Sequence, residues 1–332
     1  MDAERAHRAT IRLLKLRTGT AFTPEPPYTP TLETRVAGVD FPNPVGLAAG
    51  FDKDAEVFEP MLSLGFGFVE VGTLTPRPQA GNAQPRLFRL AEDEAVINRM
   101  GFNNRGQADA LTRLSKRYRT GGLVGVNVGA NKDSEDRIAD YVAGVRAMGP
   151  VADYLTINIS SPNTPGLRQL QDEGALKELL SEMQAIGCDK PIFLKVAPDL
   201  EDSDPERIVR AALDHGIAAI IVSNTTVTRP SLKSRCANEA GGLSGKPLKP
   251  LALNALRRFR RAGGGEIPLI GVGGIANADD AWERIRAGAS LVQLYTAMVY
   301  EGPGIVRRIA WGLVERLKRE GFANIAEAVG SG

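Results

Sequence analysis

Cysteine and histidine are nearly absent from this chain: its 332 residues include two of each, Cys188, Cys236, His7 and His215. Neither pair has metal-ligand spacing, which argues against a structural zinc site or a histidine-rich metal centre. The two distant cysteines read as free thiols in a reducing compartment. No run of about 18 apolar residues and no signal peptide occurs, so the chain is expected to be cytosolic, neither crossing a membrane nor secreted. Charge of one sign is lacking too. Lys and Arg total 41 against 39 for Asp and Glu, and a net charge of +2 gives no argument for nucleic acid binding. Apolar residues, by contrast, make up 43%, enough for a real core, which excludes disorder. Glycine is abundant at 36 residues, above the usual share of ~7%. That suits an enzyme whose backbone must approach a ligand closely.

Residues 2–18 are predicted to form a helix and residues 23–30 a stiff proline-rich linker. Residues 32–41 read as a short hairpin turned at Gly38. Eight apolar, strand-like runs then follow, at 45–50, 68–73, 122–129, 154–160, 192–198, 218–224, 268–274 and 291–297. Segments long enough for helices separate them. Near-continuous apolar strands alternating with helices mean a parallel sheet covered on its outside. Eight such units predict an α/β chain folded as a (β/α)8 TIM barrel, with a short N-terminal helical extension. A doubly wound open sheet is the competing architecture. The expected division is residues 1–30 as the extension and 31–332 as the catalytic barrel. Residues 87–97 read as a hairpin inserted on the same face as the strand ends, a wall or lid.

The strand ends are polar or glycine: Ala49, Gly50 and Lys53, then Gly72-Thr73, Asn127, Asn158, Lys195, Ser223-Asn224, Gly273-Gly274 and Tyr295-Thr296. Each alone could be a helix cap or turn residue. Recurring at equivalent positions, they read as a site on the face where barrel enzymes work. The densest stretch is Asn158-Ile-Ser-Ser-Pro-Asn-Thr-Pro-Gly166, whose side chains suit a planar ligand rich in carbonyl and NH groups. Gly271-Val-Gly-Gly-Ile-Ala276 resembles a dinucleotide fingerprint but falls at the seventh strand, without an acidic strand end after it. In a barrel these glycines suit a phosphate, with Gly245 adding to the cradle. Lys195, inside Phe-Leu-Lys-Val-Ala-Pro, suits either a Schiff base or stabilisation of an anion.

Taken together, Asn43-Pro-Val-Gly-Leu-Ala-Ala-Gly-Phe-Asp-Lys53, Val71-Gly-Thr73, Asn98-Arg-Met-Gly-Phe-Asn-Asn104, Asn158 to Gly166 and Gly271-Val-Gly-Gly-Ile275 resemble the dihydroorotate dehydrogenases, from about residue 2 to about residue 320. The resemblance implies FMN bound in a barrel and oxidation of dihydroorotate to orotate for pyrimidine biosynthesis. A serine as the proton-accepting residue, where the soluble class uses a cysteine on a different loop segment, and the amino-terminal extension both resemble the membrane-associated, quinone-reducing class. On this resemblance Ser161 takes the C5 proton, released through Thr164 and water beside Phe102. Hydride passes from C6 to the flavin, and Lys195 stabilises the resulting negative charge. Lys53 touches both flavin and substrate carboxylate. Asn98, Asn158, Asn163 and Asn224, with Thr225 and the loop Arg99, Met100, Gly101 and Phe102, hold the pyrimidine. Ala49, Gly50, Thr73, Asn127, Asn158, Ser223, Gly245, Gly274, Tyr295 and Thr296 complete the FMN contacts.

The Glu4-Arg-Ala-His7 motif also matches the family, in which His7 and Arg89 occupy positions lining a ubiquinone or menaquinone tunnel. Arg5, Arg8, Arg12 and Lys15 fall on one side of the first helix, with Ala6, Ala9, Leu13 and Leu14 roughly opposite. Such a helix either lies on an anionic bilayer as a peripheral attachment or packs on the barrel with a solvated basic face. Family members carry a further apolar segment ahead of this point, so a shortened start and a reduced membrane element are both open. The chain is read as a monomer. A tRNA-dihydrouridine synthase and a Schiff-base aldolase built on Lys195 are the rival enzymes.

Overall fold

The computed structural model describes residues 2–16, 29–117 and 122–332. Most of the expected linker, residues 23–28, therefore lies outside the described residues. In chain order the strands are β1 (Thr34–Val36), β2 (Val39–Phe41), β3 (Val45–Leu47), β4 (Phe68–Leu74), β5 (Leu87–Leu90), β6 (Ala95–Asn98), β7 (Leu123–Val128), β8 (Tyr154–Asn158), β9 (Ile192–Val196), β10 (Ala219–Val222), β11 (Gly242–Gly245), β12 (Leu269–Val272) and β13 (Ala289–Leu294). Before the barrel comes helix α1 (Ala3–Lys15). Strands β3, β4, β7, β8, β9, β10, β12 and β13 close into one parallel barrel, with helices between them on the outside. The open-sheet alternative is excluded by that closure.

Alternation along the strands sorts the side chains into two cores. Val69 and Val71 of β4, Val124 and Val126 of β7, and Leu155 and Ile157 of β8 belong to the core shared with the surrounding helices. The alternate residues Phe68, Tyr154, Phe193, Ile221, Ile270 and Leu291 form a separate cluster inside the barrel. Phe41, from the β1–β2 hairpin, joins it, its ring 5.1 Å from that of Phe68. Tyr154 and Phe193 stack at 4.5 Å. These rings leave no room for opposing side chains. A Cβ on Gly46 would lie 2.2 Å from the Phe68 ring, and one on Gly125 would lie 2.0 Å from that of Tyr154. Removing one such buried ring typically costs about 3–5 kcal/mol.

The strand periodicity overshoots at several C-terminal ends. The run expected over residues 291–297 is cut short, since β13 stops at Leu294, where its ladder partner β3 stops at Leu47. Tyr295 instead precedes a short helix, Thr296–Glu301. The expected hairpin of 87–97 is present as β5 and β6. It gains an unforeseen third strand, since β11 pairs antiparallel with β6, placing Gly242 opposite Asn98.

Helix α1 is capped by Asp2, whose carboxylate accepts from the Glu4 and Arg5 amides. Its buried Glu4 receives two guanidinium N–H groups of Arg86, at 2.8 and 3.1 Å, and the Gln84 amide at 3.0 Å. Leu13 departs from the helical-wheel reading: it is 65% exposed, and Leu16 is 78% exposed, while Leu14 packs inward. Hydrogen bonds from Arg86, opposed by burial and aided by its charge, hold the Glu4 carboxyl down at about 2, from an ordinary 4.5. Its ion-pair contribution is therefore complete above pH 4.5 and lost as pH falls towards 2. Glu4→Gln is expected to cost roughly 3 kcal/mol at neutral pH. Thermal melts should also show wild type losing more stability than the variant between pH 4.5 and 2.

Candidate active site

Above the aromatic plug, the inward positions of the strands turn polar. The Glu70 carboxylate of β4 accepts from Asn127 Nδ2 at 2.8 Å, Gln293 Nε2 at 2.9 Å, Thr156 Oγ1 at 3.1 Å and the Tyr154 hydroxyl at 3.2 Å. One level higher, Asn127 Oδ1 accepts from Thr73 Oγ1 at 2.6 Å and from Asn158 Nδ2 at 3.1 Å. Asn158 Oδ1 accepts from Ser160 Oγ at 2.7 Å, and Ser160 Oγ accepts from Asn224 Nδ2 at 2.8 Å. Side chains from four strand ends are thus tied into one chain of hydrogen bonds.

A cavity of about 570 Å³ opens over this floor and runs outward to α1. Ala49, Gly50, Lys53, Thr73, Asn98, Met100, Gly101, Phe102, Asn158, Ser161, Asn163, Lys195, Ser223, Asn224, Thr225, Gly245, Gly274, Tyr295 and Thr296 line it. Residues scattered over 250 positions of sequence meet because barrel closure gathers the strand ends on one rim. Three anticipated residues stand apart. Asn127 lies beneath the cavity, bonded to two residues that line it. Thr164 is buried outside the cavity lining, its hydroxyl without a partner. Arg99 turns away to an ion pair with Glu239 and lies over the Phe88 ring.

The loop after β8 is held from several sides. The Asn163 amide N–H donates to Ser161 Oγ at 3.2 Å, and Asn163 Nδ2 donates to Asn98 Oδ1 at 3.1 Å. Asn82 Nδ2 donates to the Asn163 carbonyl. Arg168 holds the Ser160 and Thr225 carbonyls while pairing with Asp199. Phe102 stands at φ +52°, a left-handed conformation costing a bulky residue about 1–3 kcal/mol.

Lys195 is buried and Lys53 half-buried, and neither makes an ion pair among the described residues. Burial lowers the Lys195 ammonium from the ordinary lysine range, opposed by Glu70. Burial, then the Arg86 charge, brings Lys53 down to about 7; its Nζ donates to Asn103 Oδ1 at 2.9 Å. Such sites favour an anion placed against them. At the far end, His7 packs edge-on to Phe51 at 5.2 Å and approaches the Tyr295 hydroxyl at 3.5 Å. Burial, then the Lys53 charge, lowers it to about 4, so its imidazole is neutral at pH 7. Arg89 lines the same end, with Ala6, Thr10 and Leu14 of α1.

The rim of the cavity suits a phosphorylated, planar group. Gly274 adopts φ +70° and a Cβ there would lie 2.5 Å from Lys249 Cα, so its backbone is bare of side chain. Thr225 Oγ1 and Gln293 Oε1 are buried without partners. The cavity's volume falls within the range of cofactor sites, roughly 300–1,000 Å³.

Three contributors escaped the sequence reading. Glu70 was signalled as a carboxylate in inward phase within Phe-Val-Glu-Val, and Gln293 likewise within Leu-Val-Gln-Leu. Arg284 left no such sign. From the outer helix Ala278–Arg286 it reaches inward to donate to the Gly273 and Lys249 carbonyls, at 2.9 and 2.8 Å. Neither cysteine lines the cavity, which removes the catalytic thiol that a tRNA-dihydrouridine synthase requires.

The dihydroorotate dehydrogenase family profile matches residues 31–317. A dihydroorotate dehydrogenase (quinone) of Erythrobacter litoralis is 64% identical, the match covering 100% of this chain and 96% of the relative. One of Novosphingobium aromaticivorans is 62% identical, with the same two coverages. Among solved structures, ligand-free DHODH from Eimeria tenella superimposes with a TM-score of 0.94 at 40% identity, covering 99% of each chain. With barrel, rim and floor in place, this chain belongs to the dihydroorotate dehydrogenase family.

Proposed function

We propose that this protein is a quinone-dependent dihydroorotate dehydrogenase, oxidising (S)-dihydroorotate to orotate in pyrimidine biosynthesis, with FMN as its cofactor. The observation that carries the reading is the meeting of Lys53, Asn98, Asn158, Ser161, Asn163, Lys195 and Asn224 in one cavity. When bound, FMN supplies the two-electron acceptor that the substrate requires and relays the electrons to a quinone. Ala49, Gly50, Thr73, Asn158, Ser223 and Tyr295 would hold it, with Gly245, Gly274 and Thr296 toward its phosphate and Asn127 supporting from below.

Substrate recognition follows from the chemistry of the lining. Carboxamides on Asn98, Asn163 and Asn224 offer both donors and acceptors to the edges of a pyrimidine, and Lys53 offers a charge to its carboxylate. Ser161 is the base for the C5 proton. The Asn163 N–H already donates to Ser161 Oγ, which favours that oxygen as it gathers negative charge. The unpartnered Thr164 hydroxyl provides the next station for the proton. Lys195 supports the negative charge that arrives with the electrons.

The acceptor enters between α1 and the barrel, past His7 and Arg89, so that residues 1–30 serve the quinone and 31–332 the chemistry. Leu13 and Leu16, exposed beside Arg5, Arg12 and Lys15, form an apolar and basic surface suited to an anionic bilayer. Among the described residues no helix is long and apolar enough to cross a membrane. In this reading attachment is peripheral, on the cytoplasmic side.

Purified protein is expected to absorb as a flavoprotein and to bleach anaerobically with dihydroorotate. Ser161→Ala should retain the flavin yet slow bleaching by about 10²–10⁴-fold; unchanged bleaching removes Ser161 as the base. Lys53 is fully charged below its value of about 7 and loses its proton above it. Orotate affinity, read from the flavin spectrum, should therefore weaken above pH 7, by up to about tenfold per unit. A flat profile would count against Lys53 as the carboxylate's partner. Leu13→Asp with Leu16→Asp is expected to reduce co-sedimentation with anionic vesicles while leaving bleaching intact; equal sedimentation counts against this surface.

A further inference from the structure

Glu70 is the one carboxylate buried in the barrel interior among the described residues, and the mechanism above does not use it. It is 0% exposed, and its hydrogen-bond partners Asn127, Tyr154, Thr156 and Gln293 are at most 1% exposed. Desolvating a carboxylate is costly, so a barrel that needed only packing would place a leucine or valine there. The four donors come from β7, β8 and β13, three different strands. They are arranged around one acceptor, the pattern a carboxylate satisfies and a neutral amide cannot.

The arrangement has a consequence one level up. Asn127 and Gln293 both aim their NH2 groups down at Glu70. Their carbonyl oxygens are thereby directed elsewhere. Asn127 Oδ1 receives Thr73 and Asn158, two lining residues, and Gln293, itself a lining residue, keeps its Oε1 free. Lys195 sits beside Asn158 in the β8–β9 register. No hydrogen bond or ion pair from a described residue meets the Lys195 ammonium. Glu70 is joined to its neighbour Asn158 through Asn127 and is the buried carboxylate of the same barrel interior, where its charge opposes the effect of burial on Lys195. The remaining titratable neighbours are few. Burial, then Glu70, pushes the Tyr154 phenol well up, so it remains a donor. Lys53, which lines the same cavity, is bonded to Asn103.

We propose that Glu70 is a positioning residue for the reaction: it orients the Asn127 carboxamide to hold Thr73 and Asn158 and the Gln293 carboxamide to leave its oxygen free, and supplies the countercharge that keeps Lys195 cationic at the cavity floor. The proposal rests on the reading of the cavity as a flavin site. Its core, the coupling of Glu70 to Lys195, is measurable without flavin.

Two experiments decide it. In the flavin-loaded protein, the midpoint potential plotted against pH should bend where Lys195 releases its proton. Glu70→Gln keeps the side chain's shape but not its charge, and should move that bend down by at least about one unit, a tenfold easier deprotonation. Glu70→Asp, which retains the charge, should bend where wild type does, and adding Lys195→Arg to Glu70→Gln should abolish the bend. Coincident bends in wild type and Glu70→Gln overturn the proposal, because a residue serving only the fold would change stability and leave the bend in place. The second experiment is a thermal double-variant cycle of Glu70→Gln with Lys195→Met, in flavin-free protein. The double variant should melt above the sum of the single losses, since it no longer buries an unmatched ammonium; strict additivity overturns the coupling. Should Glu70→Gln alone be too unstable to purify, rescue by Lys195→Met is the expected result and its failure overturns the proposal. If wild type retains no flavin, the cofactor reading fails while the cycle still decides between these outcomes.

Discussion

Closure of a parallel sheet on itself is the constraint from which the rest of this protein follows. Inside the cylinder each strand contributes a side chain only at every second residue, and the space admits few of them per level. Aromatic rings take the lower level, which is why Gly46 and Gly125 stand opposite Phe68 and Tyr154. With the bottom closed by rings and the Phe41 hairpin, polar groups are confined to the upper levels. There they can face a ligand.

The polar levels are held rigid by their own hydrogen bonds. Glu70 anchors the lowest, Asn127 and Asn158 the next, and Ser160 with Asn224 continue around the rim. A satisfied network of this kind gives each amide one orientation. Among the buried polar atoms without a partner, Thr225 Oγ1 and Gln293 Oε1 belong to residues that line the cavity, where a ligand can use them. Lys53 and Lys195 complete the design as cations kept in reserve by burial, so an arriving anion is attracted without first displacing a salt-bridge partner.

The rim is assembled differently, from pieces remote in sequence. The sheet of β5, β6 and β11 walls one side, and Glu4 clasps α1 to Arg86 on the strand-to-sheet connection. Arg86 in turn donates to the Asn82 carbonyl, and Asn82 holds the Asn163 carbonyl. Helix α1 and the loop carrying Ser161 therefore share one set of polar contacts. Exposed Leu13 shows the limit of wheel reasoning: a helix docked by a buried ion pair does not have to bury its whole apolar stripe.

Much of this was legible in the residues. Apolar runs of strand length at helix-sized intervals determine a parallel barrel, and polar strand ends determine which face carries the site, because both depend on local periodicity. The motif from Asn158 to Gly166, with four others, carried the resemblance to the family. Only the tertiary structure decided which polar groups face the ligand and which lie beneath it. It set Asn127 under the cavity, turned Arg99 away to Glu239, and brought Arg284 in from an outer helix to hold Gly273. It also made Glu70 the centre of four donors rather than a misplaced charge. The physical reason is that periodicity assigns a side chain to a face, whereas hydrogen-bond partners and desolvation depend on which strands closure makes neighbours.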